Sequence, residues 1–144
     1  VQEGAVSLGK GGSLTVAFTD NSLTTSGDSA GDLWVFEIGS AVESFQVEIS
    51  TNNVNWIDLG FVLGQPTGID IDAIAGVNVG ELYSYVRLTD TPGNQSGFPY
   101  GEADIDAIGA ISSGQAVPLP APAGFALFGL GLILLAVSRR RGEA

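Results

Sequence analysis

The chain has 144 residues, with 16 acidic and 5 basic side chains, a formal net charge of −11, and neither cysteine nor histidine. Without cysteine there are no disulfides, thiol nucleophiles or cysteine zinc sites, and without histidine the commonest general base and transition-metal ligand are missing. The negative charge repels phosphate backbones, so we expect no nucleic-acid partner, and it attracts divalent cations.

The length and composition predict one folded domain followed by a tail. The first residue is Val1 rather than Met, and no signal peptide is visible at the start, so we expect that an export signal was removed or lies upstream. The predicted organisation is a β-sandwich extracytoplasmic domain over 1–111, a linker with a Pro-rich motif over 112–122, a transmembrane helix over 123–138 and a basic cytoplasmic tail over 139–144.

The body sustains no helical period. Short runs rich in Val, Ile, Phe, Trp and Thr alternate with clusters of Gly, Asn, Asp and Ser. This pattern is typical of an all-β fold and predicts an antiparallel β-sandwich. In chain order, the predicted strands are Ser13–Thr19, Asp32–Gly39, Val42–Ser50, Trp56–Val62, Gly68–Ile74, Tyr83–Asp90 and Asp104–Ile111.

The alternation within these strands predicts which side chains face the core. Asp32–Gly39 is a dense apolar run, which indicates a central strand buried on both faces. Thr51–Asn55 is predicted to be a hairpin connection, because Asn tolerates positive φ. We expect Trp34 and Trp56 in the core. The other predicted inward-facing residues are Leu14, Val16 and Phe18 in the first strand and Phe45, Val47 and Ile49 in the third, with Glu48 outward.

The sequence Asp-Ile-Asp-Ala-Ile occurs twice, at Asp70–Ile74 and Asp104–Ile108. On a strand, residues i and i+2 share a face, so each copy would hold two carboxylates about 7 Å apart. Such a pair needs a cation, a donor or open water. Bound Ca²⁺ is therefore one hypothesis, because it prefers oxygen ligands; the alternative is solvated or turn-capping aspartates. The candidate ligands are Asp20, Asp32, Asp104 and Asp106.

Two further patterns bear on activity. Tyr83, Tyr85, Phe98 and Tyr100 are candidates for a sugar-stacking platform, although ordinary packing is the favoured interpretation. Paired carboxylates also serve in glycosidases, which leaves a hydrolase as a remote alternative. Since no Ser/His/Asp or Cys/His set can exist in this chain, we expect no catalytic residues.

The C-terminal segment differs in composition from the body. Of the 16 acidic residues, 15 precede Val117, whereas Arg139, Arg140 and Arg141 supply three of the five basic residues. Residues 123–138 would span about 24 Å as a helix, at the short end for a bilayer core of about 30 Å. Because this run is apolar on all sides, it predicts a single membrane span. The arginines predict a cytoplasmic C-terminus and a body outside.

With the sequence Val-Pro-Leu-Pro-Ala at Val117–Ala121, this tail resembles the VPLPA variant of the PEP-CTERM class of bacterial sorting signals. The motif residues are Val117, Pro118, Leu119, Pro120 and Ala121, and the apolar run and the arginine cluster follow in the family's order. The resemblance covers 28 of the 144 residues, and Leu119 stands where the class name has Glu. It implies recognition by an exosortase-type membrane enzyme, cleavage at or near the motif, and delivery to the cell surface.

The body is similar to exported domains found upstream of such tails. The segment Val47–Trp56, a strand ending in Ile-Ser, an Asn-rich turn and then Trp, also resembles discoidin-like, galactose-binding jelly rolls. These likenesses imply a jelly-roll-type sandwich and an exported, non-catalytic cell-surface or matrix protein associated with exopolysaccharide or biofilm. The alternative is a carbohydrate-binding module, stabilised by Ca²⁺. The stretches that carry the likeness to these exported domains are Gly12–Asn21, Asp32–Gly39, Val47–Trp56, Tyr85–Asp90 and Ala103–Ile111.

Overall fold

The computed structural model describes residues 4–39, 41–91 and 102–119. Within these ranges every regular element is a β-strand and every pairing is antiparallel, which confirms the all-β prediction. The strands are β1 Val6–Ser7, β2 Ser13–Ala17, β3 Asn21–Leu23, β4 Leu33–Glu37, β5 Ser44–Ser50, β6 Ile57–Leu63, β7 Thr67–Ile69, β8 Tyr85–Asp90, β9 Asp104–Ala110 and β10 Ser113–Gln115.

Eight of these strands form two four-stranded sheets, one in the order β1-β9-β4-β7 and the other in the order β2-β8-β5-β6. Buried side chains from both sheets join in a single hydrophobic cluster, so the arrangement is sandwich-like. Strands β3 and β10 form a separate ribbon. The fully buried apolar residues are Leu23, Leu33, Val35, Phe45, Val47, Ile49, Ile71, Val86, Leu88 and Ala103.

Strand β5 and its hairpin follow the sequence prediction. Phe45, Val47 and Ile49 are fully buried, and β5 turns back into β6 through an Asn-rich connection. Asn53 has a φ of 60°, and the Asn52 side chain accepts hydrogen bonds from the amides of two later turn residues. The predicted inward face of β2 is also confirmed, because Leu14, Val16 and the adjoining Phe18 pack against the core.

Strand β4 lies between β9 and β7, but the prediction that both its faces are buried is wrong. Leu33 and Val35 are fully buried, whereas Trp34 is half-buried and Phe36 is exposed. The reason is that an antiparallel sheet in a two-layer fold covers the core with one face and meets solvent with the other. The inward set therefore continues from Leu33 and Val35 to the carboxylate of Glu37.

The two tryptophans lie outside the buried core, contrary to the prediction. Trp56 comes just before β6, and the Arg87 guanidinium stacks over its ring at 4.2 Å from the centroid. Arg87 also donates two hydrogen bonds, of 2.6 and 2.7 Å, to the Glu48 carboxylate. Trp34 packs closely over Gly68 of β7, where an added Cβ would lie 2.8 Å from its ring. Both indoles thus cover the outer faces of the sheets.

The C-terminal end of the described chain adds one strand to the expected set. Strand β10 pairs with β3 inside the segment predicted as a linker, so the folded part extends to at least Gln115. Among the described residues, no helix has the length and apolar character needed to traverse a bilayer. The predicted membrane helix at 123–138 and the arginine cluster fall outside the described ranges.

We predict that Phe45→Ala in the full chain lowers the free energy of unfolding by about 3–5 kcal/mol, because it empties a fully buried site that no disulfide braces. Urea unfolding followed by tryptophan fluorescence measures the change. Phe61→Ala is the matched control, since Phe61 is 69% exposed and its loss should cost less than about 0.5 kcal/mol. Equal effects of the two substitutions would contradict the burial of Phe45.

Candidate metal centre

The four aspartates predicted as Ca²⁺ ligands do not lie together. The amides of Ile111 and Ser112 donate to the carbonyl of Asp32, whereas the amide of Ile38 donates to the carbonyl of Asp104. Because β4 and β9 run antiparallel, Asp32 and Asp104 sit at opposite ends of the pairing, six residues or roughly 20 Å apart. Asp20 and Asp106 are exposed elsewhere on the surface.

Asp32 instead belongs to a different group. In the part of the chain that the structure describes, one set of three acidic residues has carboxylate oxygens mutually within 4.8 Å, and it consists of Asp32, Asp70 and Asp72. We call this set the aspartate cluster. Asp32 is 1% exposed, and Asp70 and Asp72 are half-buried. Two of the three members of the cluster therefore come from the first copy of the Asp-Ile-Asp-Ala-Ile repeat.

The first copy of the repeat is not a strand, which corrects the prediction for Gly68–Ile74. Strand β7 ends at Ile69, and the chain then turns, with the amide of Asp72 donating to Oδ1 of Asp70 at 2.9 Å. This local bond is an aspartate-type turn that replaces pairing with a neighbouring strand. The second copy, Asp104–Ile108, does lie on a strand, β9.

Pairing between β4 and β7 brings the cluster together. Leu33 lies opposite Ile69, and the amide of Asp32 donates to the Ile69 carbonyl at 2.9 Å. Asp32 directly precedes β4 and Asp70 directly follows β7, so the two residues lie at the same end of the paired strands. The amide of Ile71 then donates to Oδ2 of Asp32 at 3.0 Å, which holds that carboxylate against the turn.

The loop between β3 and β4, residues 24–32, closes over the cluster. The amide of Gly27 and the hydroxyl of Ser26 both donate to Oδ2 of Asp72, at 3.0 and 3.1 Å. The Trp34 indole donates to the carbonyl of Gly31 at 3.1 Å and so braces the other end of the loop. Oδ1 of Asp32 is buried and has no hydrogen-bond partner. The cluster thus consists of three carboxylates, one of which has a buried oxygen without a hydrogen-bond partner.

The chemistry open to this cluster is cation binding through oxygen. Carboxylate oxygens are hard ligands that suit Ca²⁺ or Mg²⁺, and the chain has no imidazole or thiolate to attract softer metals. Sequence reasoning noticed the aspartates of the repeat but assigned both copies to strands. The glycines that follow do not separate the two copies, because Gly76 comes two residues after the first copy and Gly109 comes directly after the second, within β9.

A second carboxylate pair, which the sequence analysis missed, lies at the other end of β4. Glu37 is 2% exposed because it continues the inward face of Leu33 and Val35, and Glu43 is also buried. Burial, with a further contribution from the neighbouring Glu43, raises the pKa of Glu37 to about 7. Burial likewise raises the pKa of Glu43. The pair therefore holds a proton at pH values where surface carboxyls are ionised.

Of the four aromatic residues considered for sugar stacking, the two that the structure describes are interior. Tyr83 is 1% exposed and Tyr85 is 8% exposed, which confirms that these two pack in the interior. The hydroxyl of Tyr83 accepts a hydrogen bond from the amide of Asn78 at 3.0 Å. Phe98 and Tyr100 lie outside the described residues.

Comparison with protein-family models, with curated proteins and with solved structures found no match. The described surface also contains a cleft of about 320 Å³ between β2 and the β1–β9 edge. Its lining is mainly apolar, with Asp106 as its carboxylate.

We predict that Glu37→Gln stabilises the protein more at pH 8 than at pH 5. The folded-state pKa of Glu37 lies above the unfolded value of 4.5, so its protonated form contributes stability below pH 4.5 that is lost as pH rises through about 7. The variant cannot ionise and should gain on the order of 2 kcal/mol relative to the parent over this interval.

Chemical unfolding of both proteins at a series of pH values measures this difference. Glu43→Gln should shift the pH dependence in the same direction, because burial raises the pKa of Glu43 as well. A stability difference between parent and Glu37→Gln that stays constant from pH 5 to pH 8 would show that Glu37 is ionised in the folded protein throughout.

Proposed function

We propose that this chain is an exported, non-catalytic bacterial cell-surface or extracellular-matrix protein that a C-terminal VPLPA-type signal sorts to the envelope. The single observation that carries the proposal is the order of the tail: the motif Val117–Ala121, then an uncharged apolar run, then Arg139–Arg141. The partners are the membrane and an exosortase-type enzyme, with exopolysaccharide as the surrounding material.

The charge distribution supports this orientation. The body carries fifteen acidic and two basic residues before Val117, whereas the arginines follow the apolar run. Basic residues beside a membrane segment remain in the cytoplasm, so this arrangement directs the acidic body outward. A net charge of that size also favours a solvated, unaggregated domain at the cell surface.

We also assign the body to the jelly-roll type, and the strand order supports this. Strands β4, β7 and β9 belong to one sheet while β5, β6 and β8 belong to the other, so the chain crosses repeatedly between sheets. As a result β4 pairs with β9, and β5 pairs with β8, across long stretches of sequence. Interleaved antiparallel pairs of this kind are the Greek-key connections from which jelly rolls are built.

The residues of the body favour a surface or matrix protein over a hydrolase and over a sugar-binding module. The buried pair, Glu37 and Glu43, is closed off from substrate, and the cleft beside β2 has Asp106 as its carboxylate rather than the two that a glycosidase uses. Tyr83 and Tyr85, the two described residues of the candidate sugar-stacking set, are interior and cannot stack on a sugar. A glycan array probed with the full chain should therefore stay blank.

The sorting proposal predicts that Pro118→Ala combined with Pro120→Ala abolishes processing. In cells that hold the cognate sorting enzyme, the parent should occur in a membrane-held form and a shorter released form, because cleavage falls at or near the motif. The double variant should accumulate as the membrane-held form alone. Immunoblots of membrane and medium fractions measure the two forms.

The matched control is Pro122→Ala, which changes a proline of the same segment outside the five-residue motif. It should be processed like the parent. If the double variant matched the parent in size and location, the sorting signal would not reside in Val117–Ala121.

A further inference from the structure

We infer that Asp32, Asp70 and Asp72 form a Ca²⁺ site that ties the loop between β3 and β4 to the turn after β7. Of the ligands predicted from the sequence, this site uses Asp32 alone. The inference goes beyond sorting and does not rest on it, because every residue it uses belongs to the folded body. It depends on two independent features, the mutual proximity of three carboxylates and the unpartnered buried oxygen of Asp32.

The first feature is the concentration of negative charge. Carboxylate oxygens of three residues lie within 4.8 Å of one another, and like charges at such distances repel strongly where water is excluded. In the described ranges the salt bridge joins Arg87 to Glu48, so no basic side chain there neutralises the negative charge of this cluster. The hydrogen-bond donors to these carboxylates are the amides of Ile71, Gly27 and Asp72 and the hydroxyl of Ser26.

The second feature is the orphaned oxygen of Asp32. The residue is 1% exposed, its Oδ2 is satisfied by the Ile71 amide, and its Oδ1 has no hydrogen-bond partner. A buried carboxylate oxygen left without a donor is costly. A cation bound between Asp32 and the two aspartates of the turn removes that cost, since metal coordination takes the place of the missing donor.

The donor set selects Ca²⁺ among the common cations. Ca²⁺ bonds oxygen at 2.3–2.6 Å, so one ion can reach oxygens up to about 4.8 Å apart without movement of the backbone. Mg²⁺ requires distances near 2.0–2.1 Å and octahedral geometry, which three side chains on a turn and a strand end satisfy less readily. Zn²⁺ prefers histidine and cysteine ligands, and this chain contains neither.

The bound ion would act as a non-covalent staple. Asp32 begins the run into β4, whereas Asp70 and Asp72 lie after β7, and Asp72 also holds Ser26 and Gly27 of the loop. A further bond joins this loop to the connection between β7 and β8, from the amide of Gly80 to the Thr25 hydroxyl at 3.0 Å. In a chain without disulfides, Ca²⁺ thus fixes a long loop to the sheet edge.

The test compares thermal unfolding of the full 144-residue chain, held in detergent micelles, in EDTA and in a Ca²⁺ titration. A ligand that binds only the folded state at 100 times its Kd should raise the Tm of a domain of this size by roughly 10 °C. Isothermal titration calorimetry should give one Ca²⁺ per chain. A parent whose Tm is the same in EDTA and in millimolar Ca²⁺ would overturn the inference.

Two aspartate substitutions locate the site. Asp70→Asn keeps an acceptor for the Asp72 amide but removes a ligand charge, so Ca²⁺ affinity should fall by more than the roughly 10–100-fold that loss of an outer-sphere partner causes. Asp106→Asn is the control, because Asp106 is an exposed aspartate of the second copy of the repeat and lies far from Asp32. It should bind Ca²⁺ like the parent.

The sign of the stability change separates a metal ligand from a purely structural residue. In EDTA, Asp70→Asn relieves repulsion within the cluster and should melt at or above the parent, whereas in Ca²⁺ it should melt below the parent. If the aspartates served only as hydrogen-bond acceptors, the difference would be the same in both solutions. Loss of Ca²⁺ binding in Asp106→Asn, with retention in Asp70→Asn, would move the site to the second copy.

A luminescence measurement keeps the inference testable even if Asp70→Asn fails to fold. The Trp34 indole contacts the carbonyl of Gly31, which adjoins Asp32, so Tb³⁺ bound in the aspartate cluster should be sensitised by Trp34. Trp34→Phe should remove most of this emission and Trp56→Phe should retain it, with Ca²⁺ displacing the Tb³⁺ in both. Emission that is unchanged in Trp34→Phe would place the bound ion elsewhere.

Discussion

The pairing of β4 with β7 on one side and β9 on the other fixes both acidic centres of this protein. At its start, the pairing of Leu33 with Ile69 sets Asp32 beside Asp70. At its end, strict alternation from Leu33 through Val35 turns Glu37 into the interior. A shift of one residue would expose Leu33 and Val35 and would separate both sets of carboxylates.

The two acidic centres differ in their chemistry. The aspartate cluster presents oxygens that a divalent cation can join, whereas the Glu37–Glu43 pair retains a proton because burial raises both pKa values. Neither is a surface ion pair, and the chain has few cations to form such pairs. A small acidic domain without disulfides relies on its apolar core and, at the Glu37–Glu43 pair, on neutralising buried charge with a proton.

The same five residues, Asp-Ile-Asp-Ala-Ile, take two conformations in one protein. At Asp104–Ile108 they pair with β4 as a central strand, while at Asp70–Ile74 they turn away from the sheet edge. Local preference is identical in the two copies, so the difference comes from what lies beside each. One copy has a partner strand along its length; the other has the backbone of Asp72 folded onto Asp70.

What the sequence alone determined are the features carried by local pattern: the all-β class, the inward faces of β2 and β5, and the Asn turn between β5 and β6. Period-two burial and turn chemistry are properties of neighbouring residues, so they can be read without the fold. The tertiary structure decided which face of β4 meets solvent, which aspartates meet, and that Glu37 is buried. These depend on register between strands distant in sequence, and register is set by packing of the whole core.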